Sequence, residues 1–230
     1  MTAARYTLVT GTKSWSSWSL RPWLLMRQFG LPFDEVVIGL RAPQTAAAIT
    51  RLSPSGQVPL LIDGSLKIWD SLAIVEYLAE GHREHAIWPR DRNARALARS
   101  ICAEMHSGYV ALRQNCPMDV NARALSPADP AAITADTARI VAIWRDCRAR
   151  FGSDGPFLFS AFSAADAMYA PVASRFASYG IDLSAAGDSD GTAARYRDAI
   201  LALPAMTGWR EAAALESSTH IPAAGFGAKL

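Results

Sequence analysis

The hydrophobic rhythm of the chain changes near residue 85. Before that point short β-branched runs alternate with apolar residues spaced three or four apart; after it only the helical spacing persists. Residues 6–9 predict a first strand. A loop of serines and tryptophans follows, then a helical pattern over 20–29, with Pro22 in its first turn and Gly30 and Pro32 behind it. Residues 33–40 carry Val36, Val37 and Ile38, which favour a second strand. An alanine-rich helix over 42–52 stops at the turn cluster Ser53-Pro54-Ser55-Gly56. Two apolar runs, 60–62 and 66–69, flank Asp63-Gly64-Ser65 and predict an antiparallel hairpin. Asp70-Ser71 offers N-cap side chains to a helix in which Leu72, Val75 and Leu78 recur before Gly81. The order βαβαββα satisfies a mixed four-stranded sheet with helices packed on it.

The second half predicts helices alone. One covers 92–115, on Leu97, Ile101, Met105 and Leu112, with Pro117 closing it. Asp129-Pro130 predicts the start of the next, which carries Ile133, Thr137, Ile140, Trp144 and Cys147 on one stripe and ends at Gly152. A third opens at Ser163, where Asp166 approximates a capping box and Phe162 a staple, and Pro171 predicts a kink. Helices over 193–201 and 204–215 complete the bundle, and 217–230 reads as a tail. The expected domains are 1–82 and 90–230, joined by a linker over 83–89.

Composition narrows the class. A chain of 230 residues, half of them hydrophobic, can build one large core or two modest ones. Its 23 basic and 21 acidic side chains leave +2, so no bulk field points to nucleic acid or an anionic membrane. No run approaches the span of a bilayer, and the N-terminus lacks the apolar core of a signal peptide. Cys102, Cys116 and Cys147 form neither a redox pair nor a disulfide framework, which points to a reducing, cytoplasmic setting, and they read as small buried side chains. His82 and His85 sit three apart but gather no further ligand in sequence, so no metal is expected and both read as solvated linker residues.

Three stretches together resemble the glutathione S-transferases of the cytosolic type. They are the serine loop Lys13-Ser14-Trp15-Ser16-Ser17-Trp18-Ser19-Leu20-Arg21-Pro22, the segment Ser53-Pro54-Ser55-Gly56-Gln57-Val58-Pro59-Leu60-Leu61, and the helix opening Trp69-Asp70-Ser71-Leu72-Ala73-Ile74-Val75-Glu76-Tyr77-Leu78. The resemblance extends over the whole chain, whose helical second half and capping box the family shares. It implies a thioredoxin-like N-terminal domain joined to an all-α helical bundle, glutathione as co-substrate in a cleft between them, a hydrophobic electrophile as second substrate, a role in detoxification, and a homodimer through the third and fourth helices. It implies no nucleic-acid or membrane partner.

Glutathione asks for anion holders, backbone pairing and a group that favours its thiolate. A helix N-terminus at Asp70-Ser71 suits the γ-glutamyl carboxylate, and Asp70 can take the α-amino group. The resemblance implies a cis bond between Val58 and Pro59 that pairs with the tripeptide backbone, and gives Gln57 the glycyl end. An ordinary thiol titrates near 8.5, and lowering it by about two units takes about 2.7 kcal/mol. A hydroxyl bonded to a charged group contributes about 1.5 to 3 kcal/mol, so a serine suffices without a base. Set against the zeta-class motif Ser-Ser-Cys-Ser-x-Arg, Ser16 matches the catalytic serine and Ser17 its neighbour; Ser16 is preferred, with Ser17 and then Ser14 as alternatives.

Trp18 stands where the zeta class has its cysteine, which argues against maleylacetoacetate isomerase activity and against cysteine-based attack. By resemblance Met105, His106 and Tyr109 line the electrophile pocket, with Trp18 a further wall, while bundle core or a dimer contact is the preferred reading of the first three from the residues themselves. Trp15 and Trp18 wall either a pocket or a subunit contact, and Trp23 and Leu24 are expected on the sheet. A glutathione-dependent isomerase or peroxidase, or a non-catalytic glutathione-binding protein, would use the same scaffold.

Overall fold

The computed structural model describes residues 5 to 218. Strands β1 (Tyr6–Gly11), β2 (Phe33–Ile38), β3 (Leu60–Asp63) and β4 (Leu66–Trp69) form one sheet in the order β2-β1-β3-β4. β1 pairs parallel with β2, and β3 pairs antiparallel with both β1 and β4. The parallel pair needs a crossover, which α1 (Ser17–Gln28) supplies; α2 (Thr45–Leu52) links β2 to β3. The antiparallel pair needs only the Gly64-Ser65 turn, where Gly64 takes a φ of 58°. Helix α3 (Ser71–Gly81) closes the thioredoxin-like domain.

Alternation along the strands sorts the core. Tyr6, Leu8 and Leu61 join one large cluster with Leu20, Leu24 and Leu25 of α1 and Ile74, Val75 and Leu78 of α3. Val9, Ile38 and Leu60 face the other way and pack with Ile49 of α2. The large cluster runs without a break into the helical half, through α4 (Arg92–Ser107), α5 (Val110–Asn115), α6 (Thr134–Phe151), α7 (Ala164–Ser178), α8 (Thr192–Leu201) and α9 (Pro204–Ser218). Its densest knot is Trp144, set against Tyr169, Phe176 and Tyr196 with ring centroids 5.9, 5.4 and 4.7 Å away. Among the described residues no helix is long and apolar enough to cross a membrane.

Several elements differ from the sequence pattern. Helix α1 starts at Ser17 rather than Leu20, so the last three residues of the expected loop, Ser17, Trp18 and Ser19, are helix. The single helix expected over 92–115 is two: Gly108 ends α4, where any side chain would strike the Glu104 carbonyl oxygen at 2.7 Å, and Tyr109 turns left-handed at φ 57°. Helix α6 begins at Thr134, because the Asp129 carboxylate holds the amides of Ala131 and Ala132 in a separate turn. Helix α9 reaches Ser218, so the expected tail starts later, and its remainder lies outside the described residues. Phe157–Ser160 and Phe159–Ala161 form two isolated bridges in a half read as wholly helical.

Candidate functional site

One row of the sheet gathers the three motifs. Val9, Leu60 and Trp69 are register partners across β1, β3 and β4. Beyond Val9 the chain enters the serine segment, Pro59 immediately precedes Leu60, and Asp70 immediately follows Trp69. Three segments distant in sequence therefore meet at one edge. The bond between Val58 and Pro59 is cis, and Gln57 beside it is exposed.

The serines divide by what they hold. Ser16 is the N-cap position of α1, buried, and its Oγ donates to Ser19 Oγ at 2.7 Å; Ser19 Oγ in turn accepts from the Gly11 amide at 3.1 Å. Ser17 faces inward and accepts from Arg175 Nη2 at 3.3 Å. Arg175 comes from α7, is buried, and also donates to the carbonyl oxygens of Cys116 and Pro171; burial pulls it down to about 10. The Ser14 carbonyl oxygen accepts from the Val120 amide at 3.1 Å. Ser17 thus serves the contact between the two halves, and Ser16 stands at the helix start.

Asp70 has φ 72°, a conformation that costs a non-glycine residue on the order of 1–3 kcal/mol and persists only where its surroundings enforce it. They do: its Oδ1 accepts from the amides of Leu72 and Ala73, and its Oδ2 lies 2.7 Å from His106 Nε2 on α4. Ser71 is buried beside it, and its Oγ accepts from Arg21 Nη1 at 3.1 Å. Asp70 and Ser71 cap α3 as the sequence predicts, but both also reach other elements.

Trp18 forms the adjoining wall. His106 meets it edge-on at 5.2 Å, and the guanidiniums of Arg21 and Arg113 lie 3.9 and 4.7 Å from its ring. Met105 is drawn in as well, its Sδ accepting from Arg21 Nη2 at 3.4 Å. The Tyr109 hydroxyl donates to Glu104, which pairs with Arg139 of α6; burial and that carboxylate push the phenol up. The three cysteines are buried, and burial raises the thiols of Cys116 to about 11 and Cys147 to about 12, so none is poised as a nucleophile.

The sequence pattern misplaced one group. His82 is not a solvated linker residue: its Nε2 lies 2.9 Å from Tyr6 Oη, and its Nδ1 3.2 Å from Glu84. Trp23 meets the sheet as expected, donating to Glu35 on β2, and also packs on Trp209 of α9 at 5.0 Å, so it joins sheet and bundle. It also missed Lys13. The buried Lys13 pairs with Glu35 at 2.9 Å and Glu216 at 3.1 Å, its amide donates to Glu216, and its carbonyl oxygen accepts from Trp209 Nε1. A separate groove of about 620 Å³ between α6 and α8 is lined by Arg145, Arg148 and Arg195. Those guanidiniums hold the backbone of neighbouring loops.

A thioredoxin-like domain whose serine helix, cis-proline and capped helix lie at one edge, joined to a helical bundle, defines the scaffold. Family comparison agrees on both halves. The glutathione S-transferase N-terminal domain matches residues 15–80 and the C-terminal domain residues 130–212, together more than half of the chain. The chain belongs to the glutathione S-transferase family. A zeta-class glutathione S-transferase of Euphorbia esula is 36% identical over 83 residues, which are 36% of this chain and 37% of that protein. Glutathione S-transferase T1 of Arabidopsis thaliana is 30% identical over 142 residues, 55% of this chain and 58% of that one. The chain thus aligns with roughly a third to three-fifths of these relatives' length. A glutathione transferase homologue from Burkholderia, solved with bound glutathione, superposes with a TM-score of 0.65 at 22% identity, covering 91% of this chain and 97% of that one, which carries the fold.

Proposed function

We propose that the protein is a glutathione transferase that adds the glutathione thiolate to hydrophobic electrophiles, with its domains divided over residues 83–89. The observation that supports this reading is that the segments carrying Ser16, Pro59 and Asp70-Ser71 leave the sheet at one edge, beside the row Val9, Leu60 and Trp69. In this reading Ser16 turns its hydroxyl from Ser19 to the thiolate, and the start of α1 adds its positive end. Ser71 and the first-turn amides of α3 hold the γ-glutamyl carboxylate, and Asp70 holds the α-amino group. Val58 pairs with the peptide backbone and Gln57 reaches the glycyl end. Trp18, Met105 and His106 wall the electrophile's side, Tyr109 lying behind them. The protein acts in the cytoplasm as a homodimer and serves detoxification.

Retention on immobilised glutathione followed by turnover of an aryl halide tests the reading. Retention with turnover is expected. Retention without turnover would make the chain a binding protein, and loss of both would remove glutathione as its substrate.

A further inference from the structure

We propose that the groove of about 620 Å³ between α6 and α8 binds a small organic phosphate monoester, held between Arg148 and Arg195. This goes beyond the transferase reading, to which the groove contributes no residue. The groove is lined by the guanidiniums of Arg145, Arg148 and Arg195 and the carboxylates of Asp146 and Asp190. Both carboxylates are already paired, Asp190 with Arg145 at 3.5 Å and Asp146 with Arg150 at 3.0 Å. Arg148 and Arg195 have no carboxylate partner among the described residues, so two uncompensated cations face one cavity.

Both arginines are fixed in place before any ligand arrives. Arg148 commits Nη1 to the carbonyl oxygens of Gly155 and Phe157. Gly152 leaves room for it, since any side chain there would come within 2.6 Å of that nitrogen. The Nε–Nη2 edge of Arg148 makes no hydrogen bond among the described residues, and this is the fork that donates to two oxygens of a phosphate. Arg195 folds back along α8, donating to the Asp190 carbonyl oxygen at 2.9 Å and to Thr192 Oγ1 at 3.1 Å, and its Nε has no partner among the described residues. That brings a cation against the positive end of a helix, a placement that favours an anion beside it. The first amides of α8 are occupied by Asp188 and Asp190, so the guanidiniums and not the helix end make the site. A phosphate monoester carries about −1.5 to −2 charges at pH 7, which matches two cations where a monoanion matches one. Ala149, Pro156 and Tyr196 supply apolar lining, and the volume falls within the roughly 300–1,000 Å³ of small-molecule sites, so the ester carries an organic group.

Calorimetric titration with phenyl phosphate and with phenyl sulfate, at about pH 8 where the phosphate is a dianion, tests this. Phenyl phosphate is expected to bind once per chain with a Kd below about 1 mM, and phenyl sulfate, of the same shape but one charge, about tenfold more weakly. Arg148→Met and Arg195→Met each weaken phenyl phosphate by about 10- to 100-fold, as for a lost hydrogen bond to a charged group. Both variants keep turnover of an aryl halide with glutathione within about twofold of the unsubstituted chain, and saturating glutathione leaves the affinity for phenyl phosphate within the same factor. Arg195→Met gives up contacts within residues 190–195 alone, so it reads the site even where Arg148→Met fails to fold. Absence of saturable binding, equal affinity for the sulfate, binding that survives Arg195→Met, or displacement by glutathione overturns the inference. Failure of the transferase reading shows separately, as absent turnover with phenyl phosphate binding intact.

Discussion

Ser16 and Ser17 are neighbours with different commitments, and the difference sets what each substitution should do. Ser16 gives its proton to another serine, which a thiolate can displace. Removing it returns the bound thiol toward 8.5, so the thiolate fraction at pH 7, and kcat/KM with it, falls about 20-fold. Ser17→Ala removes a partner of buried Arg175. It is expected to lower stability by about 1 kcal/mol in denaturant titration and to leave kcat/KM within about threefold. The two serines could be narrowed from motif register, because register is local. The roles of Arg21 and His106 could not, since the partners of each lie 36 to 84 residues away in sequence and no spacing announces them.

At the scale of elements, several chemical punctuation marks were legible, although Asp129 holds a separate turn ahead of α6. Gly64 turned the hairpin, Asp70 capped α3, and the Ser163–Asp166 capping box opened α7. The boundary within 92–115 failed at Gly108-Tyr109, where Tyr109 turns left-handed and its hydroxyl donates to Glu104 five residues back. The capping box carries a pH signature. Buried Asp166 accepts from the Leu158 and Ser163 amides and from Ser163 Oγ, yet desolvation outweighs these bonds and raises it to about 6. A carboxyl that binds its proton more tightly when folded contributes stability in full below about pH 4 and loses it as the pH rises through about 6. The contribution is about 3 kcal/mol. Urea titrations from pH 7 to 4 should show this gain, and Asp166→Asn should flatten it. Asp166→Ala, which strands two buried amides, should cost about 2–4 kcal/mol at pH 7 and about 3 kcal/mol more at pH 4.

The whole molecule is joined at the site, and Lys13 is its clasp. One residue at the head of the serine segment ties β2 through Glu35 and α9 through Glu216 and Trp209. Glu216→Ala is therefore expected to lower stability by about 1–3 kcal/mol and to reduce turnover, whereas the double variant with Lys13→Met costs less than the sum of the singles. Combined thermal and kinetic measurement of the four proteins checks this. The sequence pattern carried the two halves and their order because hydrophobic period reports secondary structure. It was silent on the clasp, a contact between residues 203 positions apart. The central claim is that these pieces converge to favour a ligand's thiolate at Ser16. Ultraviolet titration of bound glutathione tests it most directly: the account predicts a thiol pKa about two units below 8.5 in the unsubstituted chain and a return to about 8.5 in Ser16→Ala. An unshifted thiol, or a shift that survives Ser16→Ala, would contradict it.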